Sequence, residues 1–187
     1  QRREAERDGE PVRILTLDRL VHSYTSLDNP TKLVYGYEQM YAEATRYQAE
    51  RVDQLRALFI GGGGYTFPRY IEAVYPGSDI DVIEIDPGVT EAAYQWLGLS
   101  RATTVVTHNQ DAWLFMQQPP RQQYNLIMGD AFNDFSVPYH LTTREFNERV
   151  RAWLAPDGLS LVNIVDGGQS NLLRASANPL RQTCPSV

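Results

Sequence analysis

Short apolar runs recur along the chain and alternate with segments of helical composition. These runs lie at residues 56–60, 79–86, 103–108, 124–132 and 159–166. Strands that alternate with helices form βαβ units, and right-handed crossovers join such units into a parallel sheet. The pattern therefore predicts an α/β fold with a Rossmann-like, doubly wound, mainly parallel sheet.

The first part of the chain has a different pattern. Residues 12–25 and 32–37 carry β-branched and aromatic side chains around the turn-rich sequence Ser-Leu-Asp-Asn-Pro-Thr, which is typical of a hairpin. We therefore expect a β-hairpin region over residues 1–37 and a Rossmann-like domain over residues 38–187. The helical segment 38–55 opens that domain, and its apolar residues are expected near one face: Met40, Ala44, Tyr47, Val52 and Leu55.

Composition narrows the class of partner and the compartment. The formal net charge of −6 argues against nucleic acid or an anionic membrane as the main partner and is compatible with a cationic ligand. A single cysteine, Cys184, excludes an internal disulfide and favours the cytoplasm. No run approaches the roughly 18 apolar residues of a membrane span.

Gly61, Gly62, Gly63 and Gly64 follow the first strand of the predicted sheet directly. Ligands of such sheets bind beyond the carboxyl ends of the strands, where a glycine turn offers free N–H groups and close approach to the backbone. The run is not followed by Gly-Lys-Ser/Thr, so it is no P-loop, and the third glycine of a dinucleotide fingerprint is missing. The turn therefore predicts a nucleotide or nucleoside site, and NAD stays open although the glycine spacing does not support it.

Acidic residues follow the next strands. Glu84 stands about 20 residues after the glycines, where a carboxylate accepts hydrogen bonds from both ribose hydroxyls. Asp86 precedes Pro87 and is assigned to a helix N-cap. Asp111 is either a ligand of an adenine amine or another helix cap, and the sequence leaves the two interpretations open.

Asp130 and Asp134 flank a short loop after the fourth strand. Several carboxylates at one rim of the sheet favour a cationic substrate. An amine with a pKa near 10 must lose a proton before it attacks, and a partly buried carboxylate can take that proton. Asp130 is the candidate base. No histidine and carboxylate spacing indicates a metal site.

The motifs around these residues resemble those of a known family. Four stretches are similar to the spermidine synthase family of polyamine aminopropyltransferases, and most to its fused, membrane-anchored bacterial branch: residues 57–70 (ALFIGGGGYTFPRY), 82–89 (VIEIDPGV), 109–113 (NQDAW) and 124–159 (beginning YNLIMGDAFNDFSVP). The similarity runs from about residue 17 to residue 166. It implies a small N-terminal β domain before a class I methyltransferase-like fold, and decarboxylated S-adenosylmethionine as donor.

The resemblance also assigns roles to single residues. It implies that Glu84 binds the ribose, that Asp130 is the base, and that the remaining donor contacts come from the glycines and from Asp111, Ala112, Pro138 and Leu141. The residues that it implies for the substrate are His22, Tyr37, Glu38 and Asp134.

Three departures from the family pattern affect the choice of donor. Gly64 replaces an aspartate that contacts the donor's ammonium, His22 replaces a glutamine, and the acid of the Tyr-Gln-Glu stretch is displaced by one position to Glu38. Glu38 or Asp134 is hypothesised to supply the missing negative charge. His22 is a candidate proton carrier, although a packed histidine is the more common case.

Three functions therefore remain open. The first is aminopropyl transfer from decarboxylated S-adenosylmethionine to a polyamine, and the second is methyl transfer from intact S-adenosylmethionine, which Gly64 favours by leaving room for the donor's carboxylate. The third is a nucleoside or polyamine sensor without turnover. The family sheet has two further strands after the last run, so we expect a truncated domain with an open sheet edge and oligomer formation. Attachment to a membrane segment outside this chain is also left open.

Overall fold

The computed structural model describes residues 2–7, 9–17, 20–131, 137–164 and 171–183. The first strands form a small sheet of their own: β1 (Arg2–Arg7), β2 (Glu10–Leu17) and β3 (Leu20–Thr25). The remaining strands form the central sheet: β4 (Arg56–Ile60), β5 (Asp79–Ile83), β6 (Val106–His108), β7 (Tyr124–Gly129) and β8 (Leu154–Val162). The helices are α1 (Gly36–Ala49), α2 (Thr66–Val74), α3 (Pro87–Trp96), α4 (Ala112–Met116), α5 (Arg144–Trp153) and α6 (Asn171–Thr183), with a 3-10 turn at Tyr139–Leu141.

The small sheet is an antiparallel meander in the order β1-β2-β3. The predicted hairpin between residues 12–25 and 32–37 is wrong, because the pairing partners lie within the first of these segments: Arg13 pairs with Thr25 and Leu17 with Leu20. Residues 32–35 form no strand and lead into α1. The Tyr35 ring packs against Tyr24 of β3 and against Tyr37 instead of joining a ladder.

The central sheet confirms the predicted α/β class. Its order is β6-β5-β4-β7-β8, and every pair in it is parallel. Strand β4 lies in the centre with residues 57–60 at most 4% exposed, since helices cover both faces of a parallel sheet. The chain reverses its winding direction between β4 and β7, so the carboxyl ends of β4, β5 and β7 meet around the switch point.

Helix α1 buries a different face from the predicted one. Its buried residues are Glu38, Tyr41, Thr45 and Gln48, whereas Met40 is 73% and Tyr47 49% exposed. Two of the polar side chains donate hydrogen bonds: Thr45 to the carbonyl of Tyr41 (2.7 Å), and the Gln48 amide to the distant carbonyl of Asp157 (3.0 Å). The buried face of α1 therefore carries polar groups toward the sheet.

Strand β8 lies at one edge of the central sheet and, within the described residues, pairs with β7 alone. It begins at Leu154 rather than at residue 159, and α6 packs against α5. Association through this edge stays a prediction. Among the described residues, no helix combines the length and the apolar character that crossing a membrane requires.

Candidate nucleoside-binding site

The glycine turn begins directly at the end of β4. Gly61 donates its amide to the carbonyl of Ile83 (2.9 Å) and has a φ of 99°, a conformation that favours glycine. A Cβ on Gly61 would lie 2.6 Å from the carbonyl oxygen of Asp130, so the loop after β7 closes on this residue. Gly63 also has a positive φ, of 49°. The turn therefore requires glycine at these two positions and presents backbone to the site.

Glu84 connects this turn to β5. Its Oε2 accepts a hydrogen bond from the amide of Gly62 (2.8 Å), and its Oε1 accepts one from the amide of Asp86 (2.9 Å). Burial raises the pKa of Glu84, and these backbone amides oppose the increase. Asp86 is the N-cap of α3 and accepts from the amide of Gly88 (2.7 Å), which confirms its assignment as a helix cap.

A cavity of about 300 Å³ opens beside the glycine turn. The predicted donor residues that line it are Gly61, Gly63, Glu84, Asp111, Ala112, Pro138 and Leu141, and Asp130 also reaches it. Apolar side chains that the sequence interpretation did not single out complete the wall: Leu17, Ile60, Ile83, Ile85 and Val89. Its volume is at the lower end of the range typical of small-molecule sites. Gly62 and Gly64 do not line this cavity.

Of the two interpretations of Asp111, the structure confirms the helix cap, and the adenine contact stays a prediction. Its Oδ1 accepts from the amide of Leu114 (3.1 Å), so it is the N-cap of α4, and its Oδ2 lies 3.4 Å from Nε2 of His140. Asp111 and His140 both border the large cavity. Nothing in the sequence neighbourhood of His140 indicates that it lies beside Asp111.

Asp130 follows β7 and lies where the loop after β4 and helix α1 meet. Its Oδ2 accepts from the hydroxyl of Tyr37 (2.9 Å) and its Oδ1 from the side-chain amide of Asn163 (2.9 Å). Burial raises the pKa of Asp130, and both donors oppose this increase. Asn163 was missed by the sequence interpretation, although it follows β8 as Asp130 follows β7.

A second cavity, of about 30 Å³, adjoins the first. His22, Gly61, Gly63 and Asp130 border both cavities. The small cavity is also lined by the other residues that were predicted near the substrate or the glycine turn: Tyr37, Glu38, Gly62 and Gly64. Every candidate residue that the structure describes thus lines at least one of these two adjoining cavities.

Glu38 is almost completely buried in the wall of the small cavity, with 3% of its surface exposed. Its Oε2 accepts from the amide of Tyr35 (3.0 Å), which caps the start of α1. Burial, together with the neighbouring Asp130 carboxyl, raises the pKa of Glu38 to about 7. A cation in the small cavity would favour the ionised form of Glu38.

Comparison with solved structures identifies the fold of this chain. A probable spermidine synthase from Corynebacterium glutamicum superposes with a TM-score of 0.81 at 24% identity, covering 96% of this chain and 70% of that one. This chain has the class I methyltransferase-like fold of the spermidine synthases. A second spermidine synthase, in complex with the transition-state analogue AdoDATO, gives a TM-score of 0.72 at 16% identity over 98% of this chain and 64% of that one. Human methyltransferase-like protein 13, in complex with SAH, gives 0.70 at 23% identity over 79% and 72% of the two chains.

Curated sequence relatives are transferases of two kinds. The polyamine aminopropyltransferase of Vibrio vulnificus is 34% identical over 110 residues, which are 58% of this chain and 37% of that protein. The eEF1A lysine and N-terminal methyltransferase of Bos taurus is 30% identical over 121 residues, which are 59% of this chain and 17% of that protein. The chain thus spans little more than a third of these relatives at most. No family model matches it.

The space beside Gly64 in this spermidine synthase-like fold is filled by strand β3. A Cβ on Gly64 would overlap the Oγ and Cβ of Ser23 and would lie 3.1 Å from Oγ1 of Thr25. The expectation that Gly64 leaves room for a donor carboxylate is therefore wrong on its Cβ side, because Ser23 occupies that volume. Asp134 lies outside the described residues. Within the described ranges, no group of three or more histidine, cysteine or acidic residues could hold a metal ion.

Proposed function

We propose that this chain contains the active site of a transferase that moves an aminopropyl group from decarboxylated S-adenosylmethionine to a polyamine amine. The observation that carries the proposal is the position of Asp130: it borders both cavities and receives one hydrogen bond on each carboxyl oxygen. A buried carboxylate held in this way is suited to take a proton from an ammonium or amine.

The large cavity would hold the adenosyl part of the donor. Glu84 would accept hydrogen bonds from the ribose at the carboxyl end of β5. Asp111 and Ala112 would face the adenine ring at the start of α4, with Pro138 and Leu141 packed against it. The glycine turn would let the backbone lie close to the sulfonium. A nucleoside-type ligand in the neighbouring structures with SAH and AdoDATO supports this assignment.

The reaction would be a direct displacement. The acceptor nitrogen donates its lone pair to the propyl carbon next to sulfur, the carbon–sulfur bond breaks, and its electron pair leaves with neutral methylthioadenosine. The proton lost by the acceptor nitrogen goes to Asp130. Positioning of donor and acceptor supplies most of the rate increase in such a transfer, since no covalent intermediate is formed. Polyamine recognition by His22 and Asp134 is part of the same proposal.

Methyl transfer from intact S-adenosylmethionine is the second candidate. The sequence similarity to a methyltransferase at 30% identity favours it, although that match covers a small part of the relative. The methyl group would leave the same sulfonium, so Glu84 and Asp111 serve either reaction. Attachment to a membrane segment, a cytoplasmic location and an oligomeric state remain parts of the proposal that rest on the resemblance and the composition alone.

Product analysis with matched variants tests this function. The purified chain is incubated with each donor and a mixture of diamines and polyamines, and methylthioadenosine and S-adenosylhomocysteine are quantified. We expect methylthioadenosine from the decarboxylated donor, a loss of about 100-fold or more in Asp130→Asn, and no loss in Asp53→Asn, which alters an exposed aspartate. S-adenosylhomocysteine formation alone would assign the chain to the methyltransferases. Donor binding without either product would favour the sensor function.

A further inference from the structure

The small cavity has the size and the lining of a binding site for one primary ammonium group. Its volume of about 30 Å³ equals the share of one water molecule in the liquid, which an ammonium group matches in size. Two carboxyl groups line it, those of Glu38 and Asp130. None of the described residues in its wall is a lysine or an arginine.

Ser23 provides an independent indication that a ligand belongs in this cavity. It is 3% exposed and lines the cavity from strand β3. Its Oγ is completely buried and has no hydrogen-bond partner among the described residues. A buried hydroxyl without a partner is costly, and the cost disappears when a bound group supplies an N–H donor.

The small cavity shares part of its wall with the large one. Gly61, Gly63 and Asp130 border both, so a ligand whose adenosyl part fills the large cavity has its sulfonium substituents beside the entrance. A three-carbon chain that ends in an ammonium can extend from there into the small cavity. A chain that ends in both an ammonium and a carboxylate would bring a further negative charge toward Glu38 and Asp130, which is unfavourable.

We propose that Glu38 and Ser23 form an ammonium subsite that binds the terminal amine of the donor's aminopropyl chain. This inference rests on the proposed function and assigns the source of its donor selectivity. The negative charge beside the glycine turn comes from helix α1, and Ser23 occupies the volume that a side chain on Gly64 would need. Glu38 thereby holds the donor, and Asp130 remains available for the proton of the attacking amine.

The test compares three ligands by calorimetric titration: decarboxylated S-adenosylmethionine, intact S-adenosylmethionine and methylthioadenosine, which lacks the ammonium. The proteins are the unaltered chain, Glu38→Gln, Ser23→Ala and the control Glu43→Gln, an exposed residue of the same helix. We expect Glu38→Gln to weaken the decarboxylated donor by roughly 10- to 100-fold and Ser23→Ala by about 3- to 10-fold. Methylthioadenosine affinity should change by less than about twofold in every variant.

The ligands also separate the two levels of the proposal. Absence of methylthioadenosine binding to the unaltered chain would contradict the proposed function and, with it, the subsite. Normal methylthioadenosine binding with an unchanged affinity of Glu38→Gln for the decarboxylated donor would overturn the subsite alone. So would an equal loss for both ligands, since that result would mean a structural role for Glu38. A titration with 1,4-diaminobutane tests whether the ammonium comes from the acceptor instead. If Glu38→Gln weakens the binding of 1,4-diaminobutane and leaves donor binding unchanged, the subsite belongs to the acceptor and the inference is refuted.

Discussion

The hydroxyl of Tyr37 donates a hydrogen bond of 2.9 Å to Oδ2 of Asp130 and thereby joins helix α1 to the loop after β7. Burial and the neighbouring Asp130 raise the pKa of Tyr37 above its ordinary value, so the phenol stays a donor at every working pH. A donor to a carboxylate stabilises the ionised form. Tyr37 therefore keeps Asp130 in the state that a base requires.

Tyr37→Phe is expected to raise the pKa of Asp130 further, because the carboxylate loses one of its two donors. In the proposed function turnover requires ionised Asp130, so the acidic limb of the kcat/KM profile should move to higher pH. The measurement is methylthioadenosine release between pH 5.5 and 9. Tyr47→Phe, which alters an exposed tyrosine of α1, is the control and should leave the profile in place. An unshifted acidic limb in Tyr37→Phe would separate this hydrogen bond from catalysis.

Glu38→Gln is expected to stabilise the ligand-free chain near neutral pH. The folded pKa of Glu38 is about 7, above the ordinary value of 4.5, so the folded state binds its proton more tightly than the unfolded state does. Its contribution to stability is complete below about pH 4.5 and is lost as the pH rises to about 7. At pH 8 the loss amounts to at most about 3 kcal/mol.

Urea unfolding between pH 5 and 8 measures this effect. The unaltered chain should lose stability over that interval, and Glu38→Gln should lose less of it. Asp130, whose pKa is raised by burial, contributes a slope of the same sign that the variant retains. The amide still offers an oxygen to the Tyr35 amide, so the cap of α1 is kept. Parallel pH profiles for the two proteins would mean that Glu38 is not strained in the folded state.

Much of the fold could be predicted because buried parallel strands are continuous apolar runs. The side chains that follow those strands were predicted for the same reason: Glu84 after β5 and Asp130 after β7 lie at the rim as strand order requires. Their position depends on the sheet alone. The roles assigned to them stay predictions.

The parts of the fold and of the site that were not predicted depend on contacts between segments that are distant in sequence. Apolar periodicity selected the wrong face of α1, because the buried face carries the polar residues Glu38 and Gln48, and Gln48 bonds Asp157 in a distant part of the chain. Asn163 reaches Asp130 only because β8 pairs with β7. Ser23 lies beside Gly64 only because β3 packs against the start of α2, where Thr25 bonds Thr66 (3.0 Å).

Glu84→Gln should weaken methylthioadenosine binding and reduce stability together. Both carboxyl oxygens of Glu84 accept backbone amides, from Gly62 and Asp86. A glutamine would set its NH₂ group against one of these N–H groups, at a cost of about 1–3 kcal/mol in stability. Calorimetry with methylthioadenosine and urea unfolding measure the two effects, and Glu145→Gln, an exposed glutamate of α5, is the control. Full binding by a destabilised Glu84→Gln protein would restrict Glu84 to a structural role.

The contact between Gly64 and Ser23 can be measured as a coupling between the two positions. Gly64→Ala places a Cβ inside the Ser23 side chain and should cost about 1–3 kcal/mol, whereas Gly36→Ala, which meets nothing within 4 Å, should cost little. Ser23→Gly removes the obstructing side chain, so in the double variant the alanine should be tolerated. Urea unfolding of the two single variants, the double variant and the unaltered chain gives the coupling energy directly. Strictly additive costs would mean that β3 yields to the new methyl group, in which case an aspartate could stand at position 64 without displacing Ser23.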